Sequence, residues 1–251
     1  MIKERWMVMW DRKELKQRAK DVLRRSYWQA FLVSIILVFV GGGSSSPSFN
    51  FGQSRSSDTN VDWGIVAPFL AIIIIIFIVI FLFALAFRIF LGFPLEVGSM
   101  RYFKQAAEHE VNLNHLGYGF NKNRYLDIVK AMTWRGLLLF LWTLLLFIPG
   151  IIKSYAYSQV PFILADNPNI GYRRAVDLSN KMTRGHKFRI FVLDLSFMGW
   201  ILLGMLALFV GVLFVLPYIN ATKAELYLSL RQLALQDGLT TEEELRLNQT
   251  L

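Results

Sequence analysis

The chain has 251 residues, of which 55% are hydrophobic, 15% aromatic and only 18% charged, with a mean hydropathy of +0.42. Soluble domains average roughly 25% charged residues, so this composition excludes an ordinary soluble fold. The absence of cysteine excludes disulfides, thiolate nucleophiles, zinc–thiolate sites and iron–sulfur clusters.

In chain order, the Asp11-Arg12-Lys13-Glu14 stretch has the form of a helix N-cap with a reciprocal carboxylate at the third helical position. Leu15, Ala19, Val22 and Leu23 then share a face while Lys16, Arg18, Lys20 and Arg24 lie elsewhere on the wheel. Residues 11–26 are therefore expected to form a basic amphipathic helix on the membrane surface, bending into the bilayer near Tyr27-Trp28. The apolar stretch Trp28–Val40 reads as an uncleaved first span, because the basic segment before it is too long for the n-region of a signal peptide. The Gly41-Gly42-Gly43-Ser44-Ser45-Ser46-Pro47 run ends that span. It lacks the Lys-Ser/Thr of a phosphate-binding loop, so residues 43–63 read as an extracytoplasmic Gly/Ser-rich linker.

Ile65–Phe87 carries no charge and includes five consecutive isoleucines, Ile72 to Ile76. A hydrocarbon core of about 30 Å needs about 20 helical residues, so this segment is long enough to span. Pro68 falls in its first turn, where the missing N–H costs little. Arg88 is expected to snorkel at the inner boundary, with the helix continuing through Phe93-Pro94 into Ser99–Ala107.

Tyr125, Ile128, Val129 and Met132 share an apolar face opposite Asp127 and Lys130. Gly136–Ile152 is strongly apolar, with an expected break at Pro149-Gly150. A turn at Asp166-Asn167-Pro168-Asn169 precedes a second amphipathic run, Ile170–Met182. Phe188–Ile219 is then almost wholly apolar. As one helix it would measure about 48 Å, too long for one comfortable span and short for two. Residues 231–251 are a polar tail.

Charge distribution supplies the topology. Residues 1–25 hold nine Lys/Arg against four Asp/Glu, residues 101–135 six against three, and residues 153–189 seven against two; residues 43–63 hold one against two. Basic segments alternating with apolar ones follow the positive-inside rule, so the net charge of +9 needs no nucleic-acid partner. A spacing of thirteen residues recurs between Gly136 and Pro149 and between Gly204 and Pro217, which points to an internal repeat. The expected fold is a single all-α, polytopic membrane domain over residues 1–251. It has about six membrane segments arranged as three hairpins, the N-terminus, polar tail and basic helices being cytoplasmic; the alternative is four or five spans.

Among possible chemistry-bearing residues, Asp194 in Leu193-Asp194-Leu195-Ser196 stands out, because a carboxylate inside a bilayer needs a partner. It is either a cation- or proton-binding group or a structural residue, hydrogen-bonded to a neighbouring helix or paired with Lys187 or Arg189. Ser196, Trp200, Asp166, Lys153, Tyr155 and Tyr157 are further candidates, with Pro149 and Pro217 as helix-breaking positions of the kind that build transporter sites. His109, His115 and His186 match no metal-binding spacing, and no nucleophile elbow or close carboxylate pair is present. No catalytic, cofactor or metal site is expected.

The stretch Ile148-Pro149-Gly150-Ile151-Ile152-Lys153-Ser154-Tyr155-Ala156-Tyr157-Ser158 combines with Ala165-Asp166-Asn167-Pro168, Gly185-His186-Lys187, Leu193-Asp194-Leu195-Ser196-Phe197-Met198-Gly199-Trp200 and Pro217-Tyr218. Together with the Leu15-Lys16-Gln17-Arg18-Ala19 opening, these motifs resemble the bacterial integral membrane family catalogued as domain of unknown function 975. The resemblance implies a cell-membrane location and a helical fold and transfers no catalytic residue. The Gly-rich loop is not among the family's motifs. The function expected from residues and resemblance together is binding without turnover, with a lipid, another membrane protein or a membrane-active peptide as partner, self-protection being one version. A small transporter or channel using Asp194 and the Pro-broken helices is the alternative.

Overall fold

The computed structural model describes residues 12–41, 63–206 and 210–247, and all regular structure among them is helical. The first helix, α1 (Arg12–Gly41), runs unbroken past Tyr27-Trp28, so the expected bend there is not found. Nor is its amphipathic half a free surface helix. Leu15, Ala19 and Leu23 are buried, because α1 packs along α9 and α3 and their apolar faces offer more burial than a headgroup layer would. The Gly/Ser-rich loop lies outside the described residues, apart from Trp63, which opens α2 (Trp63–Phe87).

From α2 the chain passes through one π-helical turn, Arg88–Gly92, directly into α3 (Phe93–Ala107), as the sequence suggested. Pro94 lies inside this continuous path, and the Tyr125 hydroxyl donates to the Phe90 carbonyl at 2.9 Å, in place of the donor that proline lacks. A 3-10 segment, Leu113–Phe120, leads to α4 (Lys122–Leu145), which is followed by α5 (Phe147–Ala156), α6 (Val160–Asp166), α7 (Tyr172–Met182), α8 (Lys187–Leu206) and α9 (Val210–Gln236).

These helices divide into two kinds of stretch. One is a packed polar body whose buried residues come from the first half of α1, α3, the start of α4, α6, α7 and the second half of α9, with Val97, Ile128, Ala131, Ile163, Leu178 and Ala224 wholly enclosed. The other is a set of bare apolar arms. Every residue from 70 to 87 of α2 is exposed. At the α4–α5 tip Phe147 is 71% exposed, and on α8 Leu203 is 62% exposed. Three helical stretches among the described residues, Leu70–Ala107, Lys122–Leu145 and Lys187–Met205, are long and apolar enough to cross a membrane.

The break in the 136–152 segment falls at Leu146, which is extended (φ −158°, ψ 135°), three residues before the expected Pro149-Gly150. Pro149 sits instead in the first turn of α5, and Pro217 lies inside α9 without ending it. Tyr27 donates a hydrogen bond to the Phe214 carbonyl (3.1 Å), next to the carbonyl of Leu213 that Pro217 leaves without its helical donor. The recurring thirteen-residue spacing therefore does not put the turn at equivalent places. α4 reverses into α5 ten residues after Gly136, whereas α8 ends two residues after Gly204. Glycine serves both reversals through its lack of a side chain: a Cβ on Gly150 would lie 2.7 Å from Thr143 Oγ1, and one on Gly204 would lie 2.7 Å from the Val212 nitrogen.

Candidate functional site

α6 begins with Pro161 in its first turn and has all seven residues buried. It stops where Asn167 turns extended and Pro168 follows. The Asn167 side chain accepts the Asn169 backbone N–H at 3.0 Å, replacing the helical bond with an Asx turn. This leaves the Asp166 carboxylate at a helix C-terminus, where the backbone dipole disfavours a negative charge. It is enclosed as well, with a side chain 0% exposed. Such a charge persists only with cations and donors supplied around it.

Two helices supply them. From α3, Lys104 Nζ donates to Asp166 Oδ1 at 2.6 Å. From α9, the Tyr227 hydroxyl donates to Oδ2 at 2.6 Å and Arg231 donates to the same oxygen at 3.3 Å. Arg231 also donates to Glu108 Oε1 at 2.6 Å, and Lys104 lies 3.4 Å from the other Glu108 oxygen. Two cations and two carboxylates thus form a closed, charge-balanced cluster. Burial, followed by the Asp166 charge, pushes the Tyr227 phenol well above its ordinary value, so it remains a donor throughout the physiological range. Tyr227 also stacks on Phe162, with ring centroids 5.1 Å apart. Nearby, Arg101 donates to the Ala165 carbonyl at 2.5 Å, and its guanidinium shares the Tyr118 ring with that of Arg124.

A second group of ion pairs lies where α2 meets the body. Arg88, expected to snorkel, bonds to Glu96 at 2.9 Å, and Arg135 reaches the same carboxylate at 3.2 Å. A third group secures the polar tail. Arg174 donates to both carboxylate oxygens of Glu244, at 2.6 and 2.9 Å, and to the Leu239 carbonyl at 2.7 Å. Asn167 donates to the Glu244 carbonyl at 2.9 Å, and Leu245 is completely buried. The Arg174 hydrogen bond holds the Glu244 carboxyl below its ordinary value. Glu244 therefore stabilises the docked tail above the unfolded-state carboxylate pKa, and that contribution disappears as pH falls through the lower folded-state value. Hydrogen-exchange protection of residues 239–247, taken relative to the intrinsic rate at each pH, is expected to fall on acidification through that window, and Glu244→Gln is expected to show the lower protection already at neutral pH.

The candidates named from sequence do not converge. Asp166 is the centre of the buried cluster. Asp194 lies on α8, its carboxylate 3.7 Å from Lys223 on the neighbouring α9, with both side chains about one-third exposed. Ser196 donates to the Leu193 carbonyl at 2.5 Å and accepts from Lys16 at 2.8 Å. Trp200 is exposed on α8. Lys153 sits over the Trp142 ring at 4.9 Å, Tyr155 meets Phe191 edge-on, and Tyr157 is buried. A long, part-exposed ion pair contributes about 0–1 kcal/mol. Asp194→Asn is accordingly expected to leave abundance and thermal stability near wild type, as measured by melting of detergent-purified protein.

Sequence reasoning missed Lys104, Glu108, Tyr227 and Arg231. The available signal was spacing: Lys104/Glu108 and Tyr227/Arg231 are both i,i+4 pairs, each pair on one face of its helix. What could not be read was that the two faces enclose the turn after α6. Among the described residues no group of three His, Asp or Glu is placed to hold a metal ion.

A family model described as a protein of unknown function (DUF975) matches residues 61–234. The match starts at the last residues of the Gly/Ser-rich loop and omits the Leu15–Ala19 opening, so it covers less of the chain than the motif resemblance suggested. No curated protein and no solved structure matches the chain.

Proposed function

We propose, for a chain that belongs to the DUF975 family of proteins of unknown function, that it is a multi-pass cell-membrane protein acting by binding rather than by turnover. Its apolar arms hold a lipid, a partner helix or a membrane-active peptide, while its polar body rests at the cytoplasmic face. The observation that carries this reading is the division along α2–α3, α4 and α8 between an exposed apolar arm and a stretch that holds paired charges. On the α2–α3 path, exposed residues 70–87 give way to Arg88, Glu96 and Lys104; on α4, Arg135 is followed by Leu137 and Phe140; on α8, Asp194 is followed by Leu202 and Leu203. Bare apolar helices are stable in hydrocarbon, where their backbone groups are satisfied internally. The paired charges occupy the stretches that the positive-inside rule assigns to the cytoplasm. In this arrangement the arms form three hairpins, α1–α2, α4–α5 and α8–α9, with α4–α5 the shortest.

The binding-only reading is favoured by the closed state of the ionic cluster. Both oxygens of the buried Asp166 carboxylate are engaged, Oδ1 by Lys104 and Oδ2 by Tyr227 and Arg231. Such a group holds helices together and leaves no vacancy for a travelling ion.

The natural sequence contains no cysteine, so single-cysteine variants report topology without background. An impermeant thiol reagent applied to intact cells is expected to label Ser56→Cys and to spare Arg173→Cys; the opposite pattern would invert the topology. For activity, protein reconstituted into anionic-lipid vesicles is expected to give no solute or ion flux above empty vesicles and no lipid product. Saturable flux abolished by Asp194→Asn would establish the transporter instead.

A further inference from the structure

Between the first half of α1, the end of α3 and the second half of α9 lies a cleft of about 720 Å³, within the usual size range for a small-molecule site. Its charged lining is unusual for so basic a chain. Three carboxylates face it, from Asp21, Glu225 and Glu242, beside the guanidiniums of Arg18 and Arg231. Both guanidiniums are already engaged, Arg18 with Glu14 on its own helix and Arg231 with Glu108 and Asp166. The three carboxylates make no ion pair among the described residues.

Glu225 is the decisive member. It is only 5% exposed, and its carboxylate makes no hydrogen bond among the described residues, whereas the equally buried Asp166 is surrounded by three donors. Burial raises the Glu225 carboxyl above its ordinary value, opposed only by the charge of Arg18. A largely buried carboxylate that opens on a cleft without a donor carries a desolvation cost, which an incoming cation would offset. Beside the polar His109, Ser229 and Gln232, the lining includes an apolar wall of Val22, Leu228 and Leu235, which suits methylene groups rather than a hydrated metal ion. Metal-binding geometry is in any case absent among the described residues.

We infer that this cleft binds an alkylammonium ligand, with Glu225 as its buried anchor, Asp21 and Glu242 as outer acids, and the apolar wall against the ligand's methylene chain. The ammonium donates up to three hydrogen bonds and suits an anchor that has none. It can be supplied by a free polyamine or by a lysine side chain of a peptide. The site belongs to the polar body, so it stands whether or not the arms bind as proposed above.

The test is calorimetric titration of the full chain in neutral detergent at about 0.15 M salt, where long-range attraction is screened. The probes are 1,4-diaminobutane, spermidine and an end-blocked trilysine, with 1,4-butanediol as a neutral control. Saturable binding of at least one ammonium probe is expected, with no binding of the diol and with Glu225→Gln weakening affinity by about tenfold or more. Tighter binding of the free amines identifies a polyamine-type ligand, and tighter binding of trilysine identifies a peptide side chain. No ammonium binding below about 10 mM, equal binding of the diol, or unchanged affinity in Glu225→Gln would overturn the proposal. Should Glu225→Gln fail to fold, the double variant Asp21→Asn/Glu242→Gln, at two exposed positions, must weaken binding by about threefold or more; no effect there would overturn it equally.

Discussion

Asp166→Leu is expected to be the most damaging single substitution in the polar body, destabilising it by about 3–5 kcal/mol, the cost of removing one partner from a buried ion pair. Lys104, only 1% exposed, would lose its 2.6 Å partner and keep Glu108 alone, at 3.4 Å. Tyr227 would become a buried hydroxyl with no acceptor. For a chain of this length the loss corresponds to roughly 10 °C in melting temperature, readable by fluorescence-detected melting of detergent-purified protein. Asp166→Asn keeps an acceptor while losing the charge and should fall between the two. The discriminating variant is the double substitution Asp166→Leu/Lys104→Met. Replacing both members of a buried pair with apolar groups is often neutral, so this protein should recover much of the lost stability. An Asp166→Leu protein as stable as wild type, or a double variant worse than the sum of its singles, would show that the cluster does not hold α3, α6 and α9 together.

Alanine at Gly150 and at Gly136 is expected to act in opposite directions although both glycines lie in apolar helices of the same hairpin. At Gly136 an added Cβ meets nothing within 4 Å, so Gly136→Ala should gain up to about 1 kcal/mol from helix propensity. At Gly150 the same atom would lie 2.7 Å from Thr143 Oγ1 and 2.9 Å from Thr143 Cα. The hydroxyl could rotate away but the backbone carbon could not. Gly150→Ala should therefore force α4 and α5 apart and cost about 1–3 kcal/mol, the usual range for overpacking. Removing the hydroxyl contact with Thr143→Ala should restore only part of this, since the Cα clash remains. Comparative melting and expression yield of the four proteins checks the ordering; equal effects at the two glycines would mean that α4 and α5 do not pack as closely as described.

Long, strongly periodic features were legible without coordinates. The charge-free stretch 65–87, the continuity through Phe93-Pro94, the buried face of Ile128/Met132 and the amphipathic run ending at Met182 all follow from local composition and helical period. Positions that depend on an opposing surface were not. Pro149 looks like a break, yet proline is harmless in a first helical turn, and the chain had already turned at Leu146. Pro217 also looks like a break, yet α9 continues through it. The basic face of residues 12–25 looks suited to headgroups, yet its apolar side found α9 and α3. Asp194 drew attention because it interrupts an apolar run, and it proved to be one half of a long ion pair at the edge of the body.

The sequence by itself determined the helical class, the location of the apolar segments and the family, because hydrophobic runs, charge bias and motif order are properties of consecutive residues. Only the tertiary structure decided which acid matters to the packed body. Asp166 sits in a short polar turn that any sequence reading places at the surface, and residues 62 and 61 positions away in the chain, Lys104 and Tyr227, enclose it. The same is true of Glu225: its burial beside a cleft, without a hydrogen bond to its carboxylate among the described residues, depends on how α1, α3 and α9 cross. Electrostatic partnership is fixed by three-dimensional distance and burial, and neither is encoded in local spacing.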